Sequence, residues 1–495
     1  MLSLLIWGAV VGAGLIAVLP TADQKQCRTW ALAIASGLLA FSGWICTQGS
    51  LVESLPWLPS LGLSYELAID GLSLPLVLLN SLLVWVAIFA SDQVERPRFY
   101  YPLILLLSAG IYGTFLAQNL LLFLLFYEAE LIPLYLLIGI WGGKNRSYAA
   151  TKFLIYTAVS GFVLLGVFLA IAAVVSNQLD LPFSFDLRDL ATQQLPLQLQ
   201  IILLLGIIFG FAIKIPLVPF HTWLPDAHVE ASTPVSVLLA GVLLKLGTYG
   251  LLRFGLDLFP QAWQAIAPGL AVWAAVSVIY GCSVAIIQTD MKKMVAYSSI
   301  GHMGYILLAL AAATPLSTLG AVLQMICHGL ISGLLFLLVG IIYQKTGTRD
   351  LNRLQGLLNP ERGLPVTGAL MILAAMASAG IPGMAGFVAE FIIFRGSFGV
   401  FPYQTIFCML GTVLTAVYFL ILIDRAFFGR FMVLVASIDQ PDQLMPLSQS
   451  LPQSNLRDLA PPLVLVVLII GFGLQPQWLL QLVQLSSDHL ISKIL

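Results

Sequence analysis

The sequence predicts an all-α polytopic membrane protein with about fourteen transmembrane helices. Composition is the first reason: 59% of the 495 residues are hydrophobic and only 9% are charged, where a soluble domain carries about 25% charged residues. The second is a succession of apolar stretches close to the roughly 20 residues that a bilayer crossing requires. The third is loop charge. With an external amino terminus, only Arg188, Arg253, Arg395 and Lys493 of the 22 lysines and arginines fall on one side, while Lys214 and Lys245 fall inside spans. All the others collect on the opposite side. The positive-inside rule makes that side cytoplasmic and places both termini on the lumenal or periplasmic side.

The spans are expected near residues 1–20, 29–47, 72–91, 101–117, 119–141, 150–176, 198–219, 231–253, 264–287, 292–313, 317–343, 364–395, 402–424 and 460–480. The first has no basic residue before it and no small-residue cleavage site, so it reads as a retained span. Its Gly8, Gly12 and Gly14 follow no strand, and suit helix packing better than a nucleotide loop. Spans four and five are parted only by a turn near Gln118 and Asn119. No polar stretch is long enough for a separate domain. The single domain therefore divides into leading helices (1–100), a first repeat (101–254), a second repeat (264–428) and a final helix and tail (460–495). The net charge of −1 gives no reason to expect nucleic acid. Cys27, Cys46, Cys282, Cys327 and Cys408 are too scattered for an iron–sulfur or zinc framework. With no Walker loop, HExxH or EF-hand pattern either, the chain is expected to bind no metal, nucleotide, flavin or haem.

Ionisable residues inside spans are costly and are functional candidates by default. In span seven, FAIKIPLVPFHTWLPDAH (211–228), Lys214 is followed at once by Pro216 and Pro219. Proline removes a backbone donor and breaks the helix, which lipid tolerates only where protein or water satisfies the freed groups. In span five, Glu128 and Glu130 are two residues apart, so about 200° separates them around a helix. One is expected to face the bundle interior and the other an interface; the spacing does not choose between them. Lys245 lies more than a turn inside span eight, too deep for simple snorkelling. His302 and His328, in successive spans and each beside glycine, suggest a water-lined seam. Gly380, Pro382, Gly383 and Gly386 break span twelve just before Glu390. Five spans separate the two breaks, an odd number that reverses direction, so spans 4–8 and 9–13 are expected to be inverted five-helix repeats with broken helices 7 and 12. His221, Asp226, His228 and Glu230 read as belonging to a turn that caps span eight rather than to a metal site. Nothing in the chain supplies energy for moving charge, so an ion gradient or a partner subunit must drive it.

The stretches FYEAELIPLYLLIGIWGG, KIPLVPFHTWLPDAH, LAGVLLKLGTYG, QTDMKKMVAYSSIGHMG and GIPGMAGFVAEF together resemble the antiporter-like subunits of respiratory complex I and its photosynthetic relatives, over nearly the whole chain. The resemblance implies that Glu128, five residues before Pro133, is the family glutamate and forms an ion pair with Lys214. It implies that Lys245, His302 and His328 continue a hydrophilic axis that Glu390 ends, and it leaves the role of Glu130 open. Glutamate rather than lysine at position 390 is similar to the chain 4, or subunit M, branch in its cyanobacterial form, and weakly to its CO2-uptake variant. The implied function is that of a non-redox, proton-translocating membrane-arm subunit of a photosynthetic plastoquinone oxidoreductase. Plastoquinone, iron–sulfur clusters and ferredoxin or NAD(P)H are then expected in the wider complex. The implied partners are sister antiporter-like chains, other membrane-arm subunits, lipids and a carbonic-anhydrase-like CO2-hydration subunit. The implied location is the thylakoid or plasma membrane. A sodium/proton antiporter chain working without redox partners is the competing function, and a passive scaffold the third.

Overall fold

The computed structural model describes residues 1–18, 23–58, 62–92, 94–436, 444–446 and 450–483. Lys493 and the rest of the expected tail lie outside them. Eleven helices among the described residues are long and apolar enough to cross a membrane, which makes the chain an integral membrane protein. Three of the fourteen expected spans are not among the eleven. The first is the shorter helix α1 (Ser3–Val18), and the second is α2 (Gln24–Ile45), whose polar start dilutes its hydropathy. The twelfth is divided into α15 (Pro365–Ser378) and α16 (Ala385–Phe398).

The helix starts follow local chemistry. Leading α4 (Pro97–Leu116), α12 (Pro260–Ile286), α14 (Pro315–Thr346), α15 and α17 (Pro402–Phe427) is a proline, which fits a first turn because the missing N–H has no partner there anyway. Asn119 forms the expected turn between α4 and α5 (Leu120–Ala129), its side chain accepting from Leu121 N and Leu122 N at 3.1 and 3.2 Å. Asp290 caps α13 (Met291–Ala312) in the same way. Gly12 lies against Ile34 and Gly8 against Leu38, so two of the amino-terminal glycines let α1 approach α2.

The span from Thr233 to Leu256 is buried along its whole length, and α13 and α14 nearly so. By contrast α7 (Arg146–Leu179), α17 and α18 (Leu456–Leu474) leave most of their surface outward. The central span is irregular: α10 (Thr233–Leu238) and α11 (Leu244–Gly250) are joined and followed by wide π turns at Leu239–Leu243 and Leu251–Leu256, a device that recurs at functional sites. It meets α14 backbone to backbone, since a Cβ on Gly329 would lie 2.7 Å from the Gly241 carbonyl and from Leu79. Gly329→Leu is therefore expected to force the two helices apart at a cost of about 3 kcal/mol or more, read as a lower unfolding temperature and a smaller yield of folded protein in detergent.

A hairpin of β1 (Leu51–Leu58) and β2 (Leu63–Ile69), paired Leu51 with Ile69, precedes α3 (Ser73–Ala90). Asp70, at the start of α3, pairs with Arg253. Burial pushes the Asp70 carboxyl up, but the adjacent guanidinium outweighs this and holds it below its usual range. Two residues counted with the loops in the sequence are thus inside the fold: Arg253 is 8% exposed and Lys292 only 4%.

Candidate functional site

The broken seventh span holds its open backbone with side chains. Helix α8 (Leu197–Lys214) ends on the lysine, and the chain turns through residues 215–222 before α9 (Trp223–Glu230). The Trp223 indole donates to the Ile213 carbonyl at 2.9 Å, the Trp273 indole to the Val218 carbonyl at 2.5 Å, and the Val218 N–H to Ser277 Oγ at 3.4 Å. Residues 223–230 are a helix, not the expected capping turn, because Trp223 re-anchors the chain across the break. Their polar side chains disperse. Asp226 accepts from Lys152 at 2.7 Å, Glu230 accepts from the Asn145 N–H at 2.8 Å, and His221 and His228 lie against Tyr280 and Phe336.

Lys214 is fully buried, and its partner is Glu130, not Glu128. This corrects the ion pair that the family resemblance implied. The reason is rotational. Helix α5 hands over to α6 (Leu131–Trp141) at Glu130, whose backbone lies close against Gly110 of α4 and aims the carboxylate inward. Glu128, about 200° away, is turned to α7, where its carboxylate occupies the space that a side chain at Gly161 would need. It remains within electrostatic reach of Lys214, and Glu128 Oε1 has no hydrogen-bond partner among the described residues. The Lys214 ammonium also donates to the Tyr127 carbonyl at 3.3 Å and stands 3.5 Å from the centre of the Tyr127 ring.

The other four candidate residues form one line of contacts. Lys245 Nζ donates to the Ala240 carbonyl at 2.5 Å, within the π turn, and lies 2.8 Å from His328 Nδ1. The His328 and His302 rings are 5.4 Å apart between centres. His302 Nδ1 is 3.5 Å from Glu390 Oε1, and His302 Nε2 is 3.1 Å from the Ser378 hydroxyl at the end of α15. Thr412 donates to Glu390 Oε2 at 3.1 Å. All four residues are at most 4% exposed. The break at 379–384 supports this end: Gly380 and Gly383 adopt φ of +68° and +91°, which favour glycine, and a Cβ on Gly380 would lie 2.9 Å from Glu390. Polar neighbours that no charge pattern announced complete the line, among them Gln324, whose amide is 3.3 Å from His302 Nδ1. Such an arrangement of acids, bases and hydroxyls can hand protons along hydrogen bonds and bound water.

Residues 117–415 match the family model described as NADH:quinone oxidoreductase/Mrp antiporter, TM. The chain is 40% identical to NAD(P)H-quinone oxidoreductase chain 4 3 of Picosynechococcus sp., over 97% of this chain and 92% of the relative. It is 42% identical to chain 4 2 of Thermosynechococcus vestitus, over 94% and 87%. Among solved structures it is similar to a chain of respiratory complex I from Thermus thermophilus, with a TM-score of 0.88, 26% identity and full coverage of both chains. A chain of the Mrp complex from Dietzia sp. shares the fold at a TM-score of 0.87 and 21% identity, covering 99% and 97%. The chain belongs to the NADH:quinone oxidoreductase/Mrp antiporter family of transmembrane proteins.

Proposed function

We propose that this chain is a proton-translocating membrane-arm subunit of a photosynthetic complex-I-type plastoquinone oxidoreductase, working beside sister antiporter-like chains. The observation that supports it most is the unbroken line Lys245, His328, His302, Glu390, buried in an apolar bundle. A passive scaffold has no use for four ionisable groups desolvated together, since each is costly to bury. Lys214 and Glu130 form the loading switch, with Glu128 as a second carboxylate within reach of the lysine. Lys245 and the histidines are the relay, and Glu390 is the exit-side group.

The redox groups, meaning iron–sulfur clusters, ferredoxin or NAD(P)H, and plastoquinone, belong to other subunits, and so would a carbonic-anhydrase-like partner in a CO2-uptake variant. The loop charges favour both termini on the lumenal or periplasmic side, and the likeness to the cyanobacterial chains supports a thylakoid or plasma-membrane setting. The test is quinone reduction and acidification measured together on the intact complex in sealed vesicles. Lys245→Met is expected to cut protons moved per quinone at least tenfold while the complex still assembles. Wild-type stoichiometry would count against this function. Sodium/proton exchange by the purified chain alone in liposomes would favour the antiporter instead.

A further inference from the structure

Beyond Lys245 the central span carries polar groups that the axis does not use. Tyr249 and Arg253 follow the lysine by four and eight residues, the spacing that keeps side chains on one helix face. Arg253 lies in the second π turn, about 12 Å from Lys245 by helical rise, toward the side that the loop charges read as lumenal. Its guanidinium pairs with Asp70, donates from Nε to the Tyr249 hydroxyl at 3.2 Å and stands 5.5 Å from the centre of that ring. The Tyr249 hydroxyl in turn donates to the Phe115 carbonyl at 2.9 Å, and the two rings meet edge to face at 5.2 Å. Asp70 is fixed at the amino end of α3, where Oδ1 accepts from the Leu72 and Ser73 N–H groups at 3.0 Å each. The aspartate side chain is 28% exposed and that of the arginine 10%, so the pair turns its positive end into the bundle. Thr248, beside Tyr249, donates to the Lys245 carbonyl at 3.1 Å.

We propose that Arg253, with Asp70 and Tyr249, is a proton barrier: it closes the short route from Lys245 to the lumenal side, so that a proton on the lysine leaves only along His328, His302 and Glu390. The proposal rests on the proton-translocating reading above. A hydroxyl relays a proton only where it accepts on one side and releases on the other. Tyr249 is tied at both ends. Its own proton is committed to a backbone carbonyl, and its oxygen accepts from a guanidinium that stays protonated and has no acceptor site. The Thr248 proton also ends on a backbone carbonyl. The fixed cation then repels any excess proton that approaches, the means by which an arginine excludes protons from a pore. Anchoring alone does not account for the pair, because apolar residues of similar volume hold a buried contact as well as an ion pair does. Arg253 is therefore a positioning residue for Tyr249 and a standing charge, and it takes up and releases no proton.

The test is passive proton leak through the intact complex in sealed vesicles, read as the decay of an imposed pH gradient with no quinone or electron donor supplied. Arg253→Gln keeps a hydrogen-bonding side chain and removes the charge. It is expected to speed the decay at least fivefold per assembled complex and to lower protons moved per quinone. Arg253→Lys restores a cation and is expected to bring the decay back to within twofold of wild type, which a purely shape-dependent role would not do. Adding Lys245→Met to Arg253→Gln is expected to abolish the extra leak, because the leak runs through the lysine. A leak that persists in this double variant passes around the axis and overturns the barrier, and so does a wild-type decay in Arg253→Gln. Should Arg253→Gln fail to assemble, Tyr249→Phe decides. It leaves the Phe115 carbonyl and the Arg253 Nε–H without the hydroxyl between them, and it is expected to raise the leak at least twofold; a wild-type decay there overturns the barrier. Lys245→Met alone separates the two readings. If it moves few protons per quinone while Arg253→Gln does not leak, the barrier falls and the axis stands; if it pumps normally, the axis falls and the barrier with it.

Discussion

A Lys214→Met chain is expected to stop moving protons, by a factor of ten or more, in a complex that still assembles. The methionine fills the lysine's volume, but it strands the Glu130 carboxylate, which is 0% exposed and has the ammonium as its ion-pair partner. Removing one member of a buried pair costs about 3–5 kcal/mol because the other charge stays uncompensated. Part of that cost is avoided if Glu130 takes up a proton, and then the site can no longer change charge with the cycle. The partners are predicted to differ. Glu130→Gln should impair translocation more than Glu128→Gln, since Glu128 lies against α7 and acts on the lysine only at longer range. A double-mutant cycle on unfolding temperature should give Lys214 and Glu130 a coupling of about 1–3 kcal/mol, and Lys214 and Glu128 less. Equal couplings would mean that the lysine divides its time between the two carboxylates. Wild-type pumping in Lys214→Met would remove it from the pathway.

Much of this arrangement was legible in the residues, and the parts that were not share a physical cause. Both helix breaks were visible because proline and paired glycines punctuate an apolar run wherever they occur. The six ionisable candidates were visible because charge inside a span is rare. What spacing does not carry is rotation. Glu128 and Glu130 are equally apolar-flanked, and only the close approach of Gly110 to the backbone of Glu130 decides which carboxylate faces Lys214. Depth is also poorly encoded at span ends. Lys292 reads as a loop residue in QTDMKKM, yet it is drawn inside by the carbonyl of Ala231. The WLPDAH stretch reads as a turn because it follows Pro219, where span seven should leave the membrane, but Pro225 falls in a first helical turn and is compatible with the helix α9 found there. The π turns around Lys245 left no mark at all; no proline interrupts that stretch, and the first turn carries Gly241, whose carbonyl faces Gly329 of α14.

Glu390→Gln is the substitution expected to separate charge from shape at the far end of the axis. The side chains are nearly isosteric, and a glutamine can still accept from Thr412, which sits 3.1 Å from Glu390 Oε2. It can also still meet His302 Nδ1, 3.5 Å from Glu390 Oε1. The packing over Gly380 is kept, so assembly and unfolding temperature should change little. What disappears is the capacity to bind and release a proton, and with it at least tenfold of the protons moved per quinone. Glu390→Asp should fall between, because the shortened carboxylate still titrates but withdraws from His302. Thr412→Val is the matching control: it deletes a hydrogen bond to the carboxylate, costing about 1–2 kcal/mol, without removing a titrating group, and it should slow translocation only modestly. If the glutamine variant pumps normally while the valine variant does not, the hydroxyl line through Thr412 and Tyr305, 3.3 Å apart, carries the proton instead. Glu390 would then only orient that line.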